Sequence, residues 1–210
     1  MNTKTQQVAI VTGASRGIGA AIAERLAADG FTVIVNYSGN QALADELVRK
    51  IEQSGGRALS ARADVSDAAA VAQLFDRAEQ AFGGVDILVN NAGVIALAPV
   101  AEMSDADVDR LIDINLKGTF NTLREAAKRL RDNGRIINFS SSVVGLLQPS
   151  YGMYAASKAA VEALTSVLAK ELRGRNITVN AIAPGPTATG LFLDGKTPEL
   201  IDRLAKMAPL

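Results

Sequence analysis

Six short, mostly apolar runs alternate along the chain with longer stretches whose apolar residues recur at helical spacing. That alternation limits the fold more than any other feature. The runs are Gln7 to Thr12, Thr32 to Asn36, Arg57 to Ala61, Asp86 to Asn91, Arg135 to Ser140 and Ile177 to Ala183, all of strand length. Between them Ile22 and Leu26, then Leu43, Leu47 and Ile51, then Val71, Leu74, Phe75 and Ala78 fall at spacings of three and four, as one face of a helix requires. Ser66-Asp67 and Ser104-Asp105 are N-cap types, and Gly30, Gly55-Gly56, Gly83-Gly84 and Gly134 stand where helix C-termini favour a left-handed residue. Strands that alternate strictly with helices have to run parallel and be joined by right-handed crossovers, with helices on both faces of one sheet. The expected fold class is a doubly wound parallel α/β domain, single over residues 1–210, since no linker, repeat or low-complexity tract divides it.

Directly after the first run comes Gly13-Ala14-Ser15-Arg16-Gly17-Ile18-Gly19. A strand that turns at once into a helix brings the helix's unpaired N–H groups and positive dipole end to the carboxyl edge of the sheet, where anions bind. Glycines let the backbone approach a pyrophosphate closely and let helix pack tightly on strand. The spacing is G-x-x-x-G-x-G, not the commoner G-x-G-x-x-G, so position after a strand and before a helix carries the inference. The second strand ends at Asn36-Tyr37-Ser38, with no carboxylate before Asp45 to accept from a ribose 2′-OH. A 2′-phosphate meets no repulsion there, and Arg16 either pairs with it or is a solvated surface charge. NADP(H) is the preferred cofactor, with NAD(H) possible.

Composition removes several alternatives. Twenty-two basic residues balance 22 acidic ones, with no basic block, so neither nucleic acid nor an anionic membrane is an expected partner, and a small molecule is. The chain has no His and no Cys, which excludes an imidazole base, a thiolate nucleophile and an ordinary zinc site, and no metal is expected. The start, MNTKTQQ, lacks an apolar signal core, and the most apolar stretch is broken by Asp86, Asn90, Asn91 and Pro99, which predicts a cytoplasmic chain without a membrane span.

Proton transfer must then fall to Tyr, Lys, Ser or a carboxylate. Tyr154 and Lys158 stand four apart in a long helical stretch, so both side chains leave one face. A phenol, of pKa about 10, is a poor acid–base group at neutral pH unless a neighbouring ammonium stabilises its phenolate, which is the role the spacing suggests for Lys158. Ser140, Ser141 and Ser142 end the fifth strand at the same edge, where a hydroxyl would hold a substrate carbonyl.

TGASRGIG, the NNAG of Asn90 to Gly93, Asn115 in DINLKGTF, the serines before VVG, the YAASK of Tyr154 to Lys158 and the APGPTATG of Ala183 to Gly190 come in the order of the short-chain dehydrogenase/reductase family. The sequence resembles that family from Val8 onward, and within it the branch of 3-oxoacyl-acyl-carrier-protein reductases and related sugar or carbonyl reductases. The resemblance implies a Rossmann-like fold and an NADPH-dependent reductase of a ketone or 3-oxoacyl substrate, with a sugar or polyol dehydrogenase and an NADP(H)-sensing regulator as alternatives. It implies Tyr154 as general acid, Lys158 tuning it and holding the nicotinamide ribose, and Asn115 supporting a water relay to Lys158. It implies Ser141 as the orienting serine by its spacing of thirteen to the tyrosine, with Ser142 the alternative. Asp64 and Val65 would meet the adenine, with Asp64 alternatively a helix-entry residue. Asn91, Ala92 and Gly93 would line the adenosine ribose, Pro184, Gly185 and Thr187 the nicotinamide carboxamide, and Thr189 a phosphate.

In the family the segment 188–210 builds a cover over the substrate. Leu191, Phe192, Leu193, Leu200, Leu204 and Met207, with Leu146, Leu147 and Tyr151 opposite, suggest either a mainly apolar pocket or ordinary packing. Lys128, Arg129, Arg131, Arg173 and Arg175 would either meet an acidic carrier protein or form solvated helix ends. The resemblance also implies a homo-oligomer, usually a tetramer, with a dimer possible here because a further strand and terminal helix usual in the family are absent from this sequence.

Overall fold

A computed structural model describes residues 6–193 and 197–206. Six parallel strands form one sheet in the order β3-β2-β1-β4-β5-β6, with β1 at Val8–Val11, β2 at Thr32–Tyr37, β3 at Arg57–Arg62, β4 at Val85–Asn90, β5 at Leu130–Phe139 and β6 at Thr178–Ile182. The order reverses direction between β1 and β4, and in such open sheets the crevice at the carboxyl ends of the strands beside that switch is where ligands bind.

Side chains alternate across the sheet, so each strand feeds two cores. Val8, Ile10, Ile34, Leu88 and Ile136 face α3 (Ala68–Phe82), α5 (Thr119–Arg129) and α7 (Gly152–Glu171), and are covered by Leu74, Phe75, Leu123 and Leu168. Ala9, Val11, Val33, Val35 and Val89 face α1 (Gly17–Ala28) and α2 (Gln41–Gln53). On α1 the buried positions are Gly19, Ala23 and Ala27, with Ile22 and Leu26 only half-buried, so the first helix lies close to the sheet on small residues. Asp67 caps α3 through Ala69 and Ala70, Ser104 caps α4 (Asp105–Leu111) through Asp107, and Asn40 caps α2 through Leu43.

Two departures from the sequence expectation concern β5. It begins at Leu130, five residues before Arg135, because the register against β4 shifts between the Val85–Leu130 and Ile87–Arg135 pairs. Gly134 therefore caps no helix: α5 ends at Arg129 and the left-handed residue nearby is Asn133 at φ 65°. Gly134 is required by close approach instead, since a Cβ there would lie 2.8 Å from the Asp86 carbonyl oxygen and 2.8 Å from Leu130 Cδ2. After α4 the helix widens into a π-helical segment, Ile112–Gly118, before α5 resumes. Short helices α6 (Val143–Leu146), α8 (Gly190–Leu193) and α9 (Pro198–Ala205) complete the described chain, and Met207 of the expected cover lies outside the described residues, as do the side chains of Leu200 and Leu204.

Gly134→Ala should cost about 1–3 kcal/mol, as over-packing against a main-chain atom does. Its melting temperature should fall several degrees below that of Gly174→Ala, whose new Cβ would meet nothing within 4 Å. Equal melting temperatures would contradict the packing role.

Candidate active site

Most candidate residues follow the carboxyl end of a strand or sit on a helix beyond it, and Asn36 and Tyr37 are the last two residues of β2. After β1, Gly13 and Gly17 adopt left-handed φ values of 60° and 59°, open to glycine and strained for other residues. Gly19 is needed for contact: a Cβ would stand 2.5 Å from Asn91 Nδ2 and 2.6 Å from the Gly13 carbonyl oxygen. The turn is held from β4 and β2. Asn91 donates to the carbonyls of Thr12 (2.9 Å) and Gly13 (3.1 Å), the Thr12 hydroxyl accepts from the amides of Asn91 and Ala92 (3.0 Å each), and Asn36 Oδ1 accepts from the Gly13 amide (3.2 Å). Asn36 Nδ2 donates to Ala61 and Ala63, so this buried amide holds the turn from below. Thr12 is a site residue that the sequence reading passes over, and only the pairing of β1 with β4 reveals it.

A cavity of about 620 Å³ opens beside this turn. Its walls include Ile18, Asn91, Gly93, Ser141, Tyr154, Lys158, Pro184, Gly185, Thr187 and Thr189, so the tyrosine–lysine pair shares one space with the glycine turn. Ile95, Val143, Leu146, Tyr151, Leu191 and Phe192 make the remaining wall mainly apolar. Thr189 closes back on the turn, its methyl 3.6 Å from where a Cβ of Gly17 would be. Ser15 is half-buried and Arg16, the N-cap of α1, is exposed.

Tyr154 is almost buried, and that burial pushes its phenol above the usual value of 10, while a hydrogen bond with Ser141 pulls the other way and Tyr151 adds a smaller upward push. At neutral pH the phenol is protonated, the form a proton donor needs. The contact falls to Ser141, whereas Ser142 uses its amide on the Pro184 carbonyl (3.0 Å) and leads into α6. Lys158 is 5 % exposed; burial lowers its pKa to about 8, and its Nζ donates to the Phe139 carbonyl at 2.8 Å, 5.9 Å from the centre of the Tyr154 ring. Lys158 is not among the groups that move the phenol, so the expected lowering by the lysine is not seen; burial dominates and raises it, and Ser141 opposes.

Asn115 sits in the π segment, wholly buried. Its amide accepts from Val94 N (2.8 Å) and donates to Val94 O (2.9 Å) and Ser157 Oγ (3.2 Å), and it ties the loop after β4 to α7. A Cβ on Gly93 would come within 3.3 Å of Asn115 Oδ1 and 3.4 Å of Lys158 Nζ, so a side chain at position 93 would press on both groups.

The remaining candidates cluster at the ends of β2 and β3, away from that cavity wall. Tyr37 is buried and Ser38 exposed; Asp64 Oδ1 accepts from the amide and hydroxyl of Ser66 (2.9 and 2.7 Å), and buried Val65 receives Asn121 Nδ2 on its carbonyl. Arg62, also passed over in the sequence, donates Nε to the Ser38 carbonyl at 3.2 Å and so places a guanidinium at this end. The basic clusters are largely internal pairs: Arg129 meets Asp76, Glu79 and Glu125, Arg131 meets Asp86, and Arg175 meets Asp132. Among the described residues no helix is long and apolar enough to cross a membrane.

Residues 7–197 match the family model described as short chain dehydrogenase. The chain belongs to this family. The enzyme is 49% identical over 213 residues to a short-chain type dehydrogenase/reductase of Picea abies, an alignment spanning 97% of this chain and 79% of the relative. It is 45% identical to an NADPH-dependent aldehyde reductase-like chloroplastic protein of Arabidopsis thaliana, across 97% of this chain and 80% of the other. A short chain dehydrogenase of Burkholderia cenocepacia solved in complex with NADP superposes with a TM-score of 0.88 at 38% identity, covering 97% of this chain and 89% of that one.

The Lys158 pKa gives a prediction with a definite sign. A lysine held below its free value of 10.5 penalises folding below about pH 8, and the penalty is relieved as pH rises from 8 to 10.5. Relative to wild type, Lys158→Met should therefore be most favourable below pH 8 and lose up to about 3 kcal/mol of that advantage by pH 10.5, at about 1.4 kcal/mol per pKa unit. Urea titrations across that range check it, and a pH-independent difference would contradict a buried ammonium.

Proposed function

We propose that the protein is an NADPH-dependent reductase of neutral, mainly apolar ketones or aldehydes, with Tyr154 as the proton donor. The observation that carries this reading is the buried Tyr154 phenol, beside Ser141 and Lys158 in one cavity with the glycine turn. The turn fits a dinucleotide: the positions where Cβ atoms would crowd or strain the backbone are glycines, and the N-terminus of the twelve-residue α1 points its amides at the gap. Residues 13–19, Asn91 to Gly93 and 184–189 would hold the cofactor, with Tyr154 and Lys158 at its nicotinamide end. Asn36, Tyr37, Ser38, Asp64 and Val65 would form the adenosine end, where Arg16 and Arg62 would favour a 2′-phosphate and β2 ends without a carboxylate to accept from a ribose 2′-OH. Bound there, the cofactor supplies the hydride.

The chain's own residues then do the following. Ser141 holds the carbonyl oxygen, Tyr154 gives it a proton as negative charge develops, and Lys158, its Nζ fixed on the Phe139 carbonyl, would hold the nicotinamide ribose. Asn115 fixes the loop and helix that keep Lys158 in place, beside the route by which water would restore the proton. The apolar wall of Ile95, Val143, Leu146, Leu191 and Phe192 favours an apolar carbonyl compound over a polyol. A 3-oxoacyl thioester belongs to the same carbonyl class, but the basic clusters that would greet an acidic carrier are engaged in internal ion pairs. We also keep a homo-oligomer and a cytoplasmic setting as parts of this reading, on the sequence grounds given above.

Tyr154→Phe should lower kcat with NADPH and an aromatic or alicyclic ketone by at least about a hundredfold, the usual scale of general-acid catalysis, with NADPH affinity within about twofold. Turnover unchanged in that variant would remove Tyr154 from the chemistry. Arg16→Ala should weaken NADPH about tenfold or more and NADH little, because a charged hydrogen bond to phosphate is worth about 1.5–3 kcal/mol. Equal losses for the two cofactors in a fluorescence titration would contradict the 2′-phosphate assignment.

A further inference from the structure

Three consecutive residues at the end of β5 hold three residues spaced four apart on one face of α7. Ser141 lines the cavity beside Tyr154, the Phe139 carbonyl receives Lys158 Nζ at 2.8 Å, and between them Ser140 Oγ donates to Glu162 Oε1 at 2.5 Å. Positions 154, 158 and 162 form a single stripe along the helix. Ser140 is buried and is fixed a second time by its amide on the Ile182 carbonyl at 2.8 Å. Both peptide units that flank it, one carrying the Lys158 acceptor and the other leading to the Tyr154 partner, are therefore set by how Ser140 is held.

Glu162 itself does not line the cavity that holds Tyr154 and Lys158. It faces a separate groove between α7 and β6, beside Thr165, Ser166 and Asn180. Its carboxylate reaches the reacting groups only through Ser140. We propose that Glu162 is a positioning residue for the reduction, acting through Ser140 to set the angle at which the end of β5 presents Ser141 to Tyr154 and the Phe139 carbonyl to Lys158. This rests on the reading of Tyr154 as proton donor given above.

The experiment combines kinetics with a readout independent of turnover. Ser140→Ala, Glu162→Ala, Glu162→Gln and the Ser140→Ala/Glu162→Ala double variant are assayed for kcat, for NADPH affinity and for the chemical shift of 13Cζ-labelled Tyr154. Glu162→Ala and Ser140→Ala should each lower kcat about tenfold with NADPH affinity within about twofold, and both should move the Tyr154 resonance. The double variant should be no slower than either single one, since both break the same contact. Glu162→Gln, which still accepts from Ser140, should recover most of the loss. Additive losses, an unmoved Tyr154 resonance, or kcat and cofactor affinity falling together would overturn the proposal. Absence of reductase turnover in the wild-type protein would defeat the assigned reaction instead, and the Tyr154 resonance in Glu162→Ala would still test the positioning.

Discussion

An ammonium group with little solvent and one main-chain carbonyl as its hydrogen-bond partner is the constraint on which this site depends. Burying a charge is costly unless its surroundings are fixed, and the Lys158 ammonium is surrounded by fixed groups. The strand end that offers the Phe139 carbonyl is anchored to β6 and α7, the loop that passes Nζ is narrowed by Gly93, and the helix that carries the lysine is tied to that loop through Asn115 and Ser157. The penalty held in that lysine is the kind of local cost that functional sites retain and that the rest of the fold must offset.

The rest of the fold offsets it with two apolar cores and a sheet whose order reverses between β1 and β4. At that reversal the loops after neighbouring strands diverge and leave a crevice. The molecule braces the crevice with short polar side chains: Thr12 and Asn91 link β1 to β4, and Asn36 supports the glycine turn from β2. Each is buried or partly buried with its polar atoms matched, so the bracing adds rigidity without leaving orphaned groups. The cofactor end and the proton-donor end of the cavity are consequently positioned by one continuous set of strand termini.

Much of this is legible in the sequence, and for physical reasons. Runs such as Val8 to Val11 and Val33 to Val35 are buried on both faces of a parallel sheet, which demands near-continuous apolar residues and makes the strands conspicuous. Placing chemistry at strand ends follows from the alternation itself, and so the glycine turn, Ser141 and the Tyr154–Lys158 pair fall where the alternation puts them. Other features have no local signature. The π segment at Ile112–Gly118 depends on tertiary contacts of Asn115 and not on any periodicity in DINLKGTF. Gly134 looks like a helix cap in one dimension and is a packing glycine in three. Glu162 carries no signal in the sequence, because nothing there says that Ser140 lies 2.5 Å away. Arg62 and Thr12 escape notice for the same reason, since each gains its meaning only from the strand paired beside it.

The most direct test is the titration of the lysine itself. In protein labelled at lysine 13Cε, with Lys158 assigned by its loss in the methionine variant, the account predicts a resonance that titrates near pH 8 in the cofactor-free enzyme. A Lys158 resonance titrating near 10.5, the value of a solvated lysine, would contradict the buried ammonium and the site built around it.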